Sequence, residues 1–85
     1  MAKVEIYTKM TCPYCFRAKS LLAQKGVELK EIAVDLGGES KRQMIERTGG
    51  RMTVPQIFIN GKHVGGCDDL FELEGAGRLD ELLAA

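Results

Sequence analysis

Two cysteines separated by two residues carry the clearest chemistry in this sequence. Cys12 and Cys15 follow a strand-like segment and stand at the start of a predicted helix, with Lys9 just upstream. Because three residues make nearly one helical turn, the two sulfurs lie on one face within bonding distance. The free N–H groups and positive dipole end of the helix would stabilise a thiolate at Cys12, and Lys9 adds a positive charge nearby.

The second cysteine of the pair is expected to differ from the first. Cys15 lies inside the first helical turn, so we expect it to be more buried and less acidic than Cys12. Two unequal thiols suit disulfide exchange, since the acidic thiol attacks a disulfide and its neighbour resolves the mixed disulfide. The pair therefore predicts redox chemistry, with Cys12 as the nucleophile and Cys15 as the resolving thiol.

Zinc binding and a structural disulfide are the alternative uses of such a pair. Zinc would need further ligands from Cys67 and His63, which lack the spacing of a second ligand pair. A count of three cysteines fits a disulfide framework poorly. No charged segment followed by an apolar one marks a secretory signal at the start, so we expect a cytoplasmic, reducing compartment. We predict no metal site.

The composition limits the classes of function that the chain can have. Its 85 residues predict a single domain over residues 1–85, and 45% hydrophobic residues are enough for a packed core. Lys and Arg together number 12, as do Asp and Glu, which argues against binding to nucleic acid or to an anionic membrane surface. No apolar run approaches the roughly 18–20 residues that span a bilayer.

The pattern of apolar residues predicts alternating strands and helices. Strands are predicted over residues 4–8, 29–34, 56–59 and 62–65, and helices over residues 13–25 and 39–48. A third helix, capped by Asp68 or Asp69, is predicted after the last strand. A last short helical segment is predicted around Leu79, Leu82 and Leu83. Asn60-Gly61 predicts a two-residue hairpin turn. The order predicts an α/β, thioredoxin-like fold: a four-stranded mixed sheet flanked by helices on both faces.

Four segments together resemble the glutaredoxin family, most closely the bacterial dithiol glutaredoxins of the glutaredoxin 3 kind. They are Val4-Glu5-Ile6-Tyr7-Thr8-Lys9, Cys12-Pro13-Tyr14-Cys15, Thr53-Val54-Pro55 and Gly65-Gly66-Cys67-Asp68-Asp69. The resemblance covers nearly the whole chain. It implies a glutathione-dependent thiol–disulfide oxidoreductase that reduces protein disulfides and glutathione mixed disulfides.

The resemblance also implies the reaction partners. Glutathione would be the co-substrate, with no permanently bound cofactor, and glutathione reductase would act indirectly by regenerating glutathione. The protein partners would be disulfide-containing or glutathionylated proteins, with ribonucleotide reductase as a candidate from the family. We expect a monomer.

The glutathione site is implied by the same resemblance. Its predicted residues are Lys9, Tyr14, Thr53, Val54, Pro55, Gly66, Cys67 and Asp68. A cis bond before Pro55 would present the Val54 backbone beside Cys12, where an extended peptide can pair with it. The helix start at Gly66 would hold the γ-glutamyl carboxylate and Asp68 the ammonium group.

Other predicted contacts and roles are less specific. Lys9 would pair with the glycyl carboxylate, and Tyr14 would cover the cysteinyl part of glutathione. Family members also use a polar or basic residue of the second helix, for which Lys41 and Arg42 both qualify. Cys67 is predicted to be a small buried residue, with a regulatory thiol as the alternative.

Two functions of other classes compete with the oxidoreductase. An iron–sulfur carrier would share a cluster between two chains through Cys12 and two glutathiones, but Pro13 together with Cys15 favours redox work. A thioredoxin-type reductase served by a flavoprotein would have different residues between the cysteines and a longer chain.

Overall fold

The computed structural model describes residues 2–84, so Met1 and Ala85, the ends of the predicted domain 1–85, lie outside the description. The strands are β1 (Val4–Thr8), β2 (Leu29–Ala33), β3 (Gln56–Ile59) and β4 (Lys62–Gly65). The helices are α1 (Pro13–Gln24), α2 (Gly38–Arg47), α3 (Cys67–Gly75) and α4 (Leu79–Ala84). The predicted order of elements is confirmed, and the ends of the first two helices and of β2 differ by only one residue from those predicted.

The strands form one mixed sheet in the order β2-β1-β3-β4. β1 pairs in parallel with β2 across the α1 connection, and antiparallel with β3. β3 and β4 form the predicted hairpin, in which Asn60 and Gly61 have positive φ angles of 52° and 80°. These angles are the ones that a two-residue turn of this kind requires, which is why Asn-Gly predicts it from sequence.

Both faces of the sheet carry helices, as the predicted fold requires. On one face, Ile6, Ile57 and other apolar residues of β1 and β3 pack against α1, α3 and α4 in the larger core. On the other face, a smaller core joins Tyr7, Val34, Met44 and Phe58, of which only Met44 comes from α2. The alternation of side chains along each strand divides the apolar residues between these two cores.

The start of α3 differs from the prediction. Asp68 and Asp69 lie inside the first turn, and Gly66 occupies the N-cap position. The Asp69 carboxylate reaches back and accepts the Gly66 N–H at 2.9 Å. Gly65 permits this contact, since its φ is +123° and a Cβ there would overlap the Asp69 carboxylate. The prediction that Asp68 or Asp69 is the N-cap was therefore wrong: Gly66 is the N-cap, and the Asp69 side chain accepts its N–H from the third position of the helix.

Membrane-spanning helices were not expected from the sequence. Among the helices formed by residues 2–84, none combines the length and the apolar character needed to cross a bilayer.

Arg47, the last residue of α2, fixes this helix to the sheet. Its guanidinium donates to both carboxylate oxygens of Glu5, at 3.2 and 3.0 Å, and to the Tyr7 hydroxyl at 3.0 Å. It also lies 3.8 Å from the centre of the Phe58 ring. Since α2 buries only one residue fully, these contacts supply much of its attachment.

Arg47→Ala is expected to lower the free energy of unfolding by about 2 kcal/mol, because it leaves the half-buried Glu5 carboxylate without its partner. Chemical denaturation measures the change. Arg42→Ala is the matched control on the same helix. Arg42 pairs with Glu39 in solvent, so its loss should cost less than about 0.5 kcal/mol. Equal losses for the two variants would contradict the role of Arg47.

The contribution of Arg47 should also depend on pH. The hydrogen bonds from Arg47 hold the pKa of Glu5 below its ordinary value of 4.5. The unfolded state therefore takes up a proton at higher pH than the folded state. The stabilisation is complete above pH 4.5 and is lost as the pH falls through the lowered pKa. The difference in unfolding free energy between wild type and Arg47→Ala should shrink over that interval.

Candidate active site

Cys12 forms the N-cap of α1 through its own sulfur. Its backbone is extended, and Sγ accepts the N–H of Cys15 at 3.2 Å. Pro13 occupies the first helical position, where a missing N–H leaves no bond unmade. The sulfur is half-buried at the positive end of a helix, with one N–H group pointing at it. The Cys12 sulfur therefore has the setting of an attacking nucleophile.

Cys15 has the contrasting environment that the sequence predicts. Cys15 is only 1% exposed and lies on the buried side of α1. Burial, followed by the hydrogen bond with Cys12, raises the pKa of Cys15 to about 12, although the Lys9 backbone acts to lower it. At neutral pH Cys15 is therefore a protonated thiol, and the pair holds one exposed and one protected sulfur.

The third cysteine also lies close to this site. Cys67 begins α3 and is buried, and burial raises the pKa of its thiol. All three cysteines are free thiols. Within residues 2–84, no group of three or more His, Cys, Asp and Glu side chains has the arrangement of a metal site.

The segment that precedes β3 also approaches Cys12. The Val54–Pro55 peptide bond is cis, and the Val54 carbonyl oxygen lies 3.8 Å from Cys12 Sγ. The Val54 side chain packs against the smaller core, which leaves its backbone on the side of the sulfur. The Val54 backbone therefore lies beside the nucleophile, as the sequence predicts.

An open cavity of about 190 Å³ lies beside Tyr14 and the start of α3. Its lining residues are Tyr14, Arg51, Thr53, Val54, Pro55, Gly66, Cys67, Asp68 and Asp69. All of the predicted glutathione-binding residues except Lys9 are among them. Lys9 is exposed at the end of β1, and its backbone contacts the Cys15 thiol. Neither Lys41 nor Arg42 lines the cavity, and Arg42 pairs with Glu39 instead.

Arg51 and Asp69 line the cavity but were not in the predicted site. Their charged atoms lie 3.9 Å apart, and Asp69 also holds the Gly66 N–H. Gly66 lies beside Pro55, since a Cβ on Gly66 would lie 3.4 Å from the Pro55 carbonyl oxygen. The resemblance implies a basic residue from α2, either Lys41 or Arg42, whereas the basic residue that lines this cavity is Arg51, from the loop after α2. The sequence shows that Arg51 is basic, but it does not show where the side chain points, because that depends on the conformation of the loop.

Comparison with known proteins shows which family this chain resembles. The glutaredoxin family model matches residues 4–64. Glutaredoxin 3 of Escherichia coli strain K12 is 58% identical over 83 residues, covering 98% of this chain and 99% of the relative. The chain belongs to the glutaredoxin family. A glutaredoxin of Pseudomonas aeruginosa is 56% identical over 85 residues, the full length of both chains.

Solved structures of the family match this glutaredoxin in three dimensions. The crystal structure of a buckwheat glutaredoxin–glutathione complex has a TM-score of 0.86 and 34% identity, covering 98% of this chain and 77% of that one. The solution structure of a Brucella melitensis glutaredoxin has a TM-score of 0.83 and 57% identity, covering 98% and 89%. The predicted family and thioredoxin-like fold are confirmed. The predicted enzyme class, a glutathione-dependent thiol–disulfide oxidoreductase with a Cys12–Cys15 pair, is also confirmed.

Iodoacetamide at pH 7 should label Cys12 in the folded protein and leave Cys15 and Cys67 unmodified. Alkylation needs an accessible thiolate, and burial denies both conditions to the other two thiols. Peptide mass spectrometry after a timed reaction measures each site. Labelling in urea is the control and should modify all three. Rapid labelling of folded Cys15 would contradict the unequal pair, and absence of label at Cys67 would remove the regulatory alternative.

Proposed function

We propose that this glutaredoxin binds glutathione in the cavity beside Cys12 and removes it from glutathionylated proteins, besides reducing protein disulfides. One observation carries the proposal: the Cys12 sulfur caps α1 on the side of the Val54 backbone, next to a cavity lined by Gly66 and Asp68. An attacking thiolate, a backbone edge and a helix start are thereby combined within one site.

The first step is attack on a mixed disulfide. The Cys12 thiolate attacks the glutathione sulfur, a new S–S bond forms, and the target protein leaves as a thiolate that takes a proton from solvent. A second glutathione thiolate then attacks the glutathione sulfur bound to Cys12. Oxidised glutathione leaves, and the Cys12 thiolate is restored. This route requires only Cys12.

Reduction of a protein disulfide requires the second thiol. Cys12 attacks one sulfur of the target disulfide and remains joined to it, while the other target sulfur leaves. Cys15 then loses its proton and attacks the Cys12 sulfur, which releases the target and forms the Cys12–Cys15 disulfide. Two glutathione molecules reduce that disulfide and leave as oxidised glutathione.

Glutathione itself would lie extended across the cavity. Its cysteinyl backbone would pair with Val54 as an added strand, with Thr53 and Pro55 shaping that edge and Tyr14, 56% exposed, covering the other side. At the start of α3, the γ-glutamyl carboxylate would accept N–H groups near Cys67. The Asp68 carboxylate would bind the adjacent ammonium group.

The remaining partners follow from that chemistry. Lys9, which lies outside the cavity, would reach the glycyl carboxylate with its long side chain. Glutathione would stay the co-substrate, glutathione reductase would act through it, and ribonucleotide reductase is a candidate target. We propose a monomer, because Cys12, the Val54 backbone and the residues that line the cavity come from one chain, and one domain over residues 1–85, because the four strands form a single sheet. The cytoplasm is the proposed compartment, since its glutathione is kept reduced.

Cys12→Ser should abolish activity towards all substrates, because a serine hydroxyl does not replace the thiolate. Cys15→Ser should keep removal of glutathione from a glutathionylated peptide and lose reduction of a protein disulfide. Both reactions are followed as NADPH consumption with glutathione and glutathione reductase. Cys67→Ser is the control: it removes the third thiol but keeps the backbone N–H groups at the start of α3 that would bind glutathione, so both activities should stay within about twofold of wild type. Equal loss of both activities in Cys15→Ser would contradict the division of roles.

A further inference from the structure

A buried amide lies behind the Val54 edge of the site. Gln56 begins β3 and is fully buried, on the face of the sheet that also carries Phe58 and the smaller core. Burial of an amide is unfavourable unless its polar atoms find partners. Both ends of this amide do: Nε2 donates to the Thr53 carbonyl oxygen at 3.0 Å and to Thr53 Oγ1 at 3.3 Å, and Oε1 lies 2.7 Å from His63 Nε2.

The partners fix the orientation of this group. The carbonyl oxygen of Thr53 only accepts hydrogen bonds, so the NH₂ end of Gln56 must face it. The Oε1 end then faces His63, and His63 Nε2 must carry a proton and donate it. His63 is held in turn by the Phe58 ring, with centroids 5.0 Å apart, because the hairpin register places these two residues opposite each other.

The segment that Gln56 holds follows Arg51, whose backbone N–H donates to Thr48 Oγ1 at 3.0 Å. The loop before it contains Gly49 and Gly50, both with positive φ, and Arg51, Met52 and Thr53 are all exposed. The Gln56 side chain bonds back to Thr53 across the Val54–Pro55 step and closes this turn. The two bonds to Thr53 therefore restrain the chain immediately before Val54, where it leaves the exposed loop.

We propose that Gln56, oriented by His63, is a positioning residue that holds Thr53 and thereby aligns the Val54 backbone for glutathione beside Cys12. Gln56 does not line the cavity and does not touch the reacting sulfurs. The proposal rests on the proposed function, since it concerns the edge on which glutathione would bind.

Gln56→Met tests this with little change of side-chain volume. The variant loses both bonds to Thr53 and the acceptor of the His63 N–H, and Thr53 and His63 are exposed residues that can bond to water instead. With a glutathionylated peptide as substrate, the apparent KM should rise about tenfold while kcat stays within about twofold, the scale expected for one or two lost hydrogen bonds. Alkylation of Cys12 by iodoacetamide should keep its wild-type rate, because that reagent needs no backbone pairing. A purely structural role would not separate KM from kcat and alkylation in this way.

Gln43→Met is the matched control. Gln43 lies on α2, on the same side of the sheet, and loses one hydrogen bond, from the Tyr7 hydroxyl at 2.7 Å, with no link to Thr53. Its KM should remain within about twofold of wild type. His63→Ala, on the exposed hairpin, leaves Gln56 in place without its orienting donor, and its KM should rise about threefold.

The outcomes separate this proposal from the proposed function. A wild-type protein that does not use the glutathionylated peptide overturns both. An active wild type with an unchanged KM in Gln56→Met, or an equal rise in Gln43→Met, overturns the positioning role alone. If Gln56→Met does not fold, His63→Ala decides: a rise in KM with normal Cys12 alkylation supports the proposal, and an unchanged KM overturns it.

Discussion

The hydrogen bond from the Cys15 N–H to the Cys12 sulfur is the contact on which the site depends. A helix start leaves several N–H groups without partners inside the helix, and here a reactive sulfur takes one of them. The same contact makes Cys12 the cap of α1 and orients it towards Val54. Formation of the helix therefore also positions the Cys12 sulfur, and a shift of that sulfur would disturb the first turn of α1.

Burial then distinguishes two thiols that are chemically identical in the sequence. The spacing puts Cys15 one turn into α1, on the side where that helix packs against the sheet, while Cys12 stays at the open end. A desolvated thiol resists ionisation, and a neighbouring sulfur that would share negative charge adds to this resistance. The difference arises from position in the core, and no further charged residue is needed to produce it.

Features fixed by local residues were predictable from the sequence. Pro13 after the first cysteine and Asn60-Gly61 in the hairpin each dictate backbone geometry over a few residues, and apolar spacing dictates the helices and strands between them. Contacts made by long polar side chains were not predictable. Three such contacts join Arg47 to Phe58, Arg51 to Asp69 and His63 to Gln56. They depend on how loops and strands pack together, which the spacing of these residues along the chain does not indicate.

Because the two cores differ in size, the parts of the molecule that they hold should differ in local stability. α1 and α3, which carry the redox pair and the end of the cavity, share the larger core with most of the apolar residues. α2 buries only Met44 fully and is otherwise attached through hydrogen bonds of Arg47 and Gln43. Local opening is easiest where few apolar contacts must be broken. Amide protons of α2 should therefore exchange with solvent through brief detachments of that helix, during which the helix that bears the cysteines stays folded.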